Sequence, residues 1–295
     1  MKFYQLVLVV VLSCLTAFST AYFVSKKTET VSAEKETRWE QVKKRGTLRC
    51  GYFVWPPMTE KDLDTGKVKG IFPEIIEEMA HQMKLEVEWT AEVDRLHMFS
   101  GYNKYDMICT PLIRNGSRAR ETRFTVPLSY LGLYLFVRAD DNRFERNIEA
   151  LNNPDVRIAV VDGSYSSMLV REVFPKAKTI PLTQLSSGAE LILQVSTNKA
   201  DATITDSFSG QAFIENNPGK IKIASDEPVR VLGFSFATPP HESFFGEVVD
   251  ATLSNLIDIG FLDKTYKKYE KGVGRLVRVA RPYDDSVISS SGSGQ

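Results

Sequence analysis

The sequence carries no excess charge of either sign, since its 37 Lys and Arg residues are matched by 37 Asp and Glu residues. This balance argues against a nucleic-acid partner, because such proteins present a basic face to phosphates. Histidine is scarce, and its 3 residues lack the spacing of zinc ligands, so no metal site is predicted. The sequence also lacks a phosphate-binding loop and a Gly-x-Ser-x-Gly nucleophile motif, so no cofactor and no catalytic residue are predicted.

Cysteine is scarce as well, and 3 residues are too few for a disulfide scaffold. Cys14 lies in the apolar N-terminal run, whereas Cys50 and Cys109 each lie in a short apolar segment further along the chain. These two are either buried thiols or one disulfide between neighbouring strands, which an oxidising compartment permits. Both interpretations stay open, because the sequence does not give the Cα separation that a disulfide requires.

One uncharged hydrophobic run covers residues 3–25, between Lys2 and Lys26. A charged start, an apolar stretch and small residues near its end are typical of a secretory signal peptide. The length also approaches that of a membrane-spanning helix, so an uncleaved membrane anchor is the alternative. Both interpretations predict export to the periplasm, either free or tethered to the inner membrane. Residues 26–38 are predicted to form a linker, and residues 271–295, rich in serine and glycine, a flexible tail.

Between these ends, strand and helix patterns alternate, which predicts an α/β fold. A short helix over Arg38–Lys44 is predicted to end near Gly46. Apolar residues then recur from Phe72 to Met83 at the spacing of an amphipathic helix. Strand patterns precede this helix at Thr47–Tyr52 and follow it at Leu85–Trp89, and this order predicts a parallel strand pair.

Several side chains at the ends of predicted strands are suited to binding a small polar molecule, and each has a structural alternative. Trp55, before two prolines, is a ligand-stacking wall or a core residue. Arg118 grips a carboxylate or lies in a basic surface loop. Ser164 and Tyr165 open a helix whose free N–H groups attract an anion, or the serine is an ordinary cap. Asp206 points into a ligand crevice at the end of its strand, or caps the next helix.

Several short segments, taken in their order along the chain, match the motif order of a known protein family. They are Arg45–Gly51, Lys69–Ile75, Asp106 with Arg118, Phe124–Pro127, Val160–Ser164, Ala200–Ala202 with Asp206, and Gly260–Tyr269. In this order they resemble the bacterial extracellular solute-binding proteins of the amino-acid-binding family. The resemblance extends from about Trp39 to Glu270.

The resemblance implies a periplasmic-binding-protein-like α/β fold of two lobes, joined by two hinge strands, with a ligand cleft between them. The first lobe is expected to contain residues 39–138 and 231–270, and the second lobe residues 139–230. In the family pattern, the aromatic residue at Trp55 stacks on the ligand and Arg118 binds its α-carboxylate. The helix start at Ser164 and Tyr165 helps to hold that carboxylate, and Asp206 pairs with the α-amino group.

The sequence departs from the family pattern just before Arg118. Pro111 cannot donate an N–H, and Ile113 has no hydroxyl, so up to two contacts to the ligand are lost. Thr110 is the candidate to replace them. The departure leaves an amino acid and a related organic acid both open as ligands.

The function implied by the resemblance is capture of a small polar solute for an ABC transporter permease in the inner membrane, without catalysis. Two alternatives remain. One is a membrane-anchored sensory or scaffold domain with an altered cleft. The other is an enzyme similar to the cyclohexadienyl dehydratases, which resemble this family and would need an additional acid in the cleft.

Overall fold

The structure is a computed structural model that describes residues 3–29, 36–94, 96–270 and 274–280. The described residues form nine α-helices: α1 (Phe3–Glu29), α2 (Arg38–Arg45), α3 (Ile71–Gln82), α4 (Gly116–Ala119), α5 (Tyr165–Val173), α6 (Gly188–Ser196), α7 (Ser207–Asn216), α8 (Ser243–Asp258) and α9 (Phe261–Tyr269). They also form twelve strands: β1 (Thr47–Tyr52), β2 (Glu60–Lys61), β3 (Val68–Lys69), β4 (Glu86–Glu92), β5 (Met107–Ile113), β6 (Arg123–Phe124), β7 (Ser129–Arg138), β8 (Arg157–Val161), β9 (Lys178–Leu182), β10 (Ala202–Asp206), β11 (Ile221–Ile223) and β12 (Arg230–Thr238).

Local sequence signals set the start of the fold. Thr37 caps α2 through reciprocal hydrogen bonds with Glu40, and Gly46 ends the helix in the left-handed conformation that glycine favours. Strand β1 follows at once, and β4 pairs with it in parallel after α3 crosses over. The apolar face of α3, which includes Phe72 and Met79, is buried. The predicted parallel strand–helix–strand unit is therefore confirmed.

In the described part of the chain, ten strands form one sheet with the order β4–β1–β5–β12–β7–β10–β8–β9. Strand β6 pairs with β12, and β11 pairs with β7. The centre of the sheet is the antiparallel pair β7–β12, in which residues 129–133 pair with residues 230–234. Two long strands therefore connect the two ends of the sheet.

Each end of the sheet has its own hydrophobic core. The first core takes buried residues from positions 42–131 and 234–276, and the second from positions 133–224. Phe208 is an exception, because its neighbours in sequence belong to the second core while its own side chain packs into the first. We refer to the parts of the molecule around these two cores as the first half and the second half.

A buried aspartate anchors each half in the same way. Asp106, directly before β5, accepts hydrogen bonds from the Arg49 main-chain N–H and from the side chains of Arg38, Arg45 and Arg49. Asp201, directly before β10, accepts hydrogen bonds from the Arg157 main-chain N–H and from the side chains of Arg138, Arg143 and Arg157. Burial raises the pKa of Asp201, but its hydrogen bonds with Arg157 and Arg143 outweigh burial, so this pKa lies well below its usual value.

Cys50 and Cys109 form a disulfide between the neighbouring parallel strands β1 and β5. Their Cα atoms are 5.4 Å apart, within the range that a disulfide spans. Both residues are fully buried in the first core. Of the two interpretations left open by the sequence, the disulfide is therefore correct and the pair of free thiols is wrong.

One helix, α1, covers most of the predicted N-terminal segment and the first residues of the predicted linker. Helix α1 continues to Glu29, because residues 26–29 contain neither glycine nor proline to end it. The remaining linker positions 30–35 lie outside the described residues. Among the residues that the structure describes, none of the helices combines the length and the hydropathy of a membrane span.

Part of the predicted flexible tail, residues 274–280, packs against the first half. Leu276 is buried in the first core, and Val277 pairs with Tyr130 at the start of β7. Arg278 forms ion pairs with Asp263 and Glu270. This segment therefore has the apolar and charged contacts that a glycine-rich tail was expected to lack. Residues 271–273 and 281–295 lie outside the described residues.

Candidate functional site

A cavity of about 310 Å3 lies between the two halves. The first half lines it with residues 53–57, 98, 111–113 and 118. The second half lines it mainly with residues 161, 164–166, 186–189, 205, 206, 208 and 209. Five of the six predicted site residues meet around this cavity, namely Trp55, Arg118, Ser164, Tyr165 and Asp206.

Arg118 lies in the short helix α4, where the Asn115 side chain accepts a hydrogen bond from the Arg118 main-chain N–H. One guanidinium nitrogen of Arg118 donates to the Ile113 carbonyl at 3.1 Å. The other donates to the Gly163 carbonyl at 3.1 Å. Because Gly163 belongs to the second half, Arg118 bridges the cavity.

The helix α5 begins at the cavity. The hydroxyl of Ser164 accepts a hydrogen bond from the Ser167 main-chain N–H, so Ser164 is the cap of this helix. Tyr165 is the first helical residue and packs against both hydrophobic cores. Ser164 therefore caps α5 and also lines the cavity.

Asp206 likewise combines two positions, since it ends β10, caps α7 and lines the cavity. Its carboxylate accepts hydrogen bonds from the Ser209 main-chain N–H at 2.8 Å and the Ser209 hydroxyl at 2.9 Å. It also accepts a hydrogen bond from the indole N–H of Trp55 at 3.2 Å. Trp55 comes from the first half, so this is a second hydrogen bond that bridges the cavity.

The Trp55 ring lies in a group of aromatic side chains. It stacks on Phe53 at a centroid distance of 6.3 Å and meets the edge of Phe234 at 5.2 Å. The main chain of Trp55 is paired with that of Thr59 by two hydrogen bonds. These contacts fix the plane of the indole while leaving part of it exposed to the cavity.

Thr110, the sixth predicted site residue, is not among the residues that line the cavity. Its hydroxyl accepts a hydrogen bond from the Phe53 main-chain N–H at 3.1 Å and lies 3.2 Å from the Thr59 hydroxyl. The side chain is fully buried behind the aromatic wall. Thr110 therefore helps to hold the segment that carries Trp55.

Two parts of the cavity lining were not predicted from the sequence. The first is a set of apolar side chains in the first half, which includes Met98 and Leu112. The second is the start of α6, where Ser187 and Glu190 form a capping box. The Ser-x-x-Glu spacing is a recognisable signal for such a helix start. A Cβ atom at Gly188 would lie 2.3 Å from the Ser209 hydroxyl, so glycine is required where α6 approaches the surroundings of Asp206.

A third contact joins the two halves at the rim of the cavity, where Asp94 forms a side-chain hydrogen bond with Gln184. The Asp94 carboxylate also accepts hydrogen bonds from the Leu96 main-chain N–H at 2.7 Å and lies 2.9 Å from the His97 ring nitrogen. The hydrogen bond with His97 lowers the pKa of Asp94 to about 2. This carboxylate is therefore ionised and already engaged at neutral pH.

The cavity has a simple distribution of charge. Among the described residues that line it, Arg118 and Asp206 are the two with charged side chains. They have opposite signs and come from opposite halves. No group of three or more His, Cys, Asp or Glu side chains that could hold a metal ion is found among the described residues. The arrangement can bind one negative and one positive group of a small molecule at the same time.

Comparison with protein families identifies this architecture. The model of the bacterial extracellular solute-binding proteins, family 3, matches residues 48–272. The chain belongs to this family.

Two curated relatives of this family-3 solute-binding protein are binding proteins by name. The probable histidine-binding protein of Campylobacter jejuni is 26% identical over 213 residues, which cover 69% of this chain and 77% of the relative. The L-cystine-binding protein TcyA of Bacillus subtilis is 25% identical over 244 residues, which cover 78% of this chain and 84% of the relative. Their names support solute binding over the scaffold and dehydratase alternatives.

A solved structure shares the fold of this solute-binding protein. It is the ancestral amino acid-binding protein AncCDT-1, a precursor of cyclohexadienyl dehydratase, with a TM-score of 0.70 and 24% identity. The match covers 80% of this chain and 100% of the ancestral protein. The two-lobe α/β fold predicted from the resemblance is therefore confirmed for this solute-binding protein.

Proposed function

We propose that this protein binds an amino acid in the cavity between its two halves and delivers it to an ABC transporter. The observation that carries the proposal is the pair of opposite charges, Arg118 and Asp206, which line one cavity from opposite sides. An amino acid is a zwitterion, so it matches both charges at once. A plain organic acid would leave Asp206 without a cationic partner. The names of the curated relatives support the same ligand class.

In this proposal the Arg118 guanidinium grips the ligand carboxylate, assisted by the start of α5 at Ser164 and Tyr165. The Asp206 carboxylate pairs with the ligand ammonium group, and the Trp55 indole forms the wall beside it. Both charged groups now carry hydrogen bonds across the cavity, to Gly163 and from Trp55. The ligand carboxylate would replace the Gly163 carbonyl as an acceptor for Arg118, and the ligand ammonium group would replace the Trp55 N–H as a donor to Asp206.

Residues 39–138 with 231–270, and residues 139–230, are proposed to act as the two lobes, with β7 and β12 as the hinge. A ligand that touches both charges stabilises the closed arrangement, because it makes both contacts only when the lobes meet. The separate hydrophobic cores support movement of the two lobes as units. The antiparallel pairing of β7 with β12 supports a hinge at the centre of the sheet.

Calorimetric titration with amino acids and small carboxylates tests this proposal. Removing one desolvated, hydrogen-bonded charge typically costs about 2–5 kcal/mol, so Arg118→Ala is expected to weaken binding by about 30-fold or more. Arg120→Ala is the matched control, since Arg120 is exposed and two residues away. Equal affinity in Arg118→Ala and the wild-type protein contradicts the proposed site.

Asp206→Asn separates the two ligand classes. Asparagine also caps helices well, so the start of α7 is expected to remain intact. The variant should lose affinity for a zwitterion and keep its affinity for a plain carboxylate. Unchanged amino acid binding in this variant contradicts the role proposed for Asp206.

Delivery to a transporter is tested in the native cell by measuring uptake of whichever amino acid the titration identifies. A strain without this protein is expected to lose uptake at low external concentration. Arg120→Ala should restore uptake, and Arg118→Ala should not. Undiminished uptake in the strain without the protein contradicts the transport role while leaving the binding role intact.

A further inference from the structure

The cavity wall formed by the first half is largely apolar, whereas the second half also contributes hydroxyl side chains, namely those of Ser164, Ser166, Ser186, Ser187, Thr205 and Ser209. In the first half, Phe53, Met98 and Leu112 belong to one cluster of buried apolar side chains, and Trp55 packs against it. In the second half, Phe208 lines the same cavity. We infer that the ligand is an amino acid with an uncharged and largely apolar side chain. This inference rests on the proposed function.

The charge balance of the cavity leads to this conclusion first. A zwitterion uses Arg118 for its carboxylate and Asp206 for its ammonium group. Among the described lining residues, no further charged side chain remains to pair with a charge on the ligand's side chain. An unpaired charge in a buried site is costly. The cavity therefore disfavours ligands with a third charge.

Acidic side chains beside the lining segments do not change this balance. The Glu190 carboxylate accepts hydrogen bonds from the Ser187 main-chain N–H at 2.6 Å and its hydroxyl at 3.1 Å, which completes the cap of α6. The Asp94 carboxylate is engaged at the rim by His97 and Gln184. Asp162 follows a lining residue in sequence, but it is exposed and does not line the cavity.

The composition and flexibility of the first-half wall favour an apolar ligand side chain without selecting one shape. Met98 and Leu112 line the cavity, have little exposed surface and belong to the same apolar cluster as Phe53. Methionine is flexible and polarisable, so it adapts to ligand side chains of different shape. Each methylene group that the ligand buries adds about 0.8 kcal/mol, or about fourfold in affinity. Norleucine is then expected to bind more tightly than alanine by about 30-fold or more.

Calorimetric titration of the full chain with matched amino acids tests the inference. L-norleucine and L-lysine have the same carbon chain and differ by the terminal ammonium group. L-methionine and L-glutamate are of similar length and differ by the carboxylate. The uncharged member of each pair is expected to bind at least about 30-fold more tightly.

The possible results separate the inference from the proposed function. Tighter binding of lysine or glutamate than of norleucine or methionine overturns the inference and leaves the proposed amino acid site standing. Binding of a plain carboxylate, with no amino acid bound, overturns both. Preference for alanine over norleucine overturns the apolar subsite alone.

A variant of the wall gives an independent measurement. Met98→Gln places an amide in the apolar cluster and is expected to lower the norleucine-to-alanine affinity ratio at least tenfold. Met98→Leu is the control and should keep the wild-type ratio. An unchanged ratio in folded Met98→Gln overturns the inference. If that variant does not fold, the ligand pairs on the wild-type chain decide.

Discussion

The disulfide between Cys50 and Cys109 joins the two strands that lead to opposite parts of the site. Strand β1 runs toward Trp55, and β5 runs toward Arg118. Replacing both cysteines by alanine is expected to remove this link without introducing a polar group into the first core. Because the loop closed by the disulfide spans 59 residues, its chain-entropy contribution is about 4 kcal/mol.

Urea unfolding, followed by fluorescence, measures this loss in the double variant Cys50→Ala/Cys109→Ala. The free and exposed Cys14 supplies the control, and Cys14→Ala should leave the unfolding free energy unchanged. The entropic mechanism acts on the unfolded chain, so ligand affinity of the folded variant is expected to stay within about twofold. A stability loss below about 1 kcal/mol would refute the reasoning. A large loss of ligand affinity would instead assign the effect to distortion of the folded site.

Three further perturbations test other parts of the molecule. Asp106→Asn is expected to lower the unfolding free energy by about 3 kcal/mol, because it removes the negative charge that pairs with three arginines in the first half. Asp64→Asn, in an exposed turn, is the control and should have no effect in the same urea titration. Gly188→Ala is expected to displace Ser209 and to weaken ligand binding measured by calorimetry. Gly116→Ala is the control and should bind normally, because a Cβ at Gly116 meets open space. Equal ligand affinity in the two variants contradicts the close approach described for α6. Asp201→Asn should reduce the fall in unfolding free energy that the wild-type protein shows in acid. Folding lowers the pKa of Asp201, so the stabilisation by its carboxylate is complete above the unfolded pKa of about 3.9 and is lost as the pH falls toward the folded pKa. Urea midpoints at neutral and acidic pH test this, and the same pH dependence in wild type and variant would count against it.

The parts of the fold that were predicted from sequence are those governed by local signals. Gly46 ends α2, and the apolar spacing from Phe72 to Met83 corresponds to α3, because glycine conformation and helical periodicity act over a few residues. The five side chains that meet around the cavity lie at strand ends and helix starts, where such signals are also short-range. The buried position of Thr110 was not predictable in this way, because its hydrogen bonds to Phe53 and Thr59 depend on tertiary packing.

Other features depend on contacts between distant parts of the chain. The pairing of Cys50 with Cys109 requires β1 and β5 to be neighbours, which the sequence does not specify by itself. Met98 reaches the cavity from a short 3-10 turn that has no periodic pattern. Residues 274–280 lie in the segment predicted as a flexible tail, but Leu276 is buried in the first core and the distant partners Asp263 and Glu270 hold Arg278 in place.

The two hydrogen bonds from the Arg118 guanidinium end on main-chain carbonyls, those of Ile113 and Gly163. Every amino acid carries such a carbonyl, so substitutions at positions 113 and 163 leave both acceptors chemically unchanged. The donor position is different, because the single ammonium of lysine lacks the planar fork that reaches two carbonyls at once. Position 118 is therefore constrained by the chemistry of its own side chain. Its two partners are constrained differently, because Gly163 has a φ of +73°, which favours glycine, and Ile113 is buried in the first core.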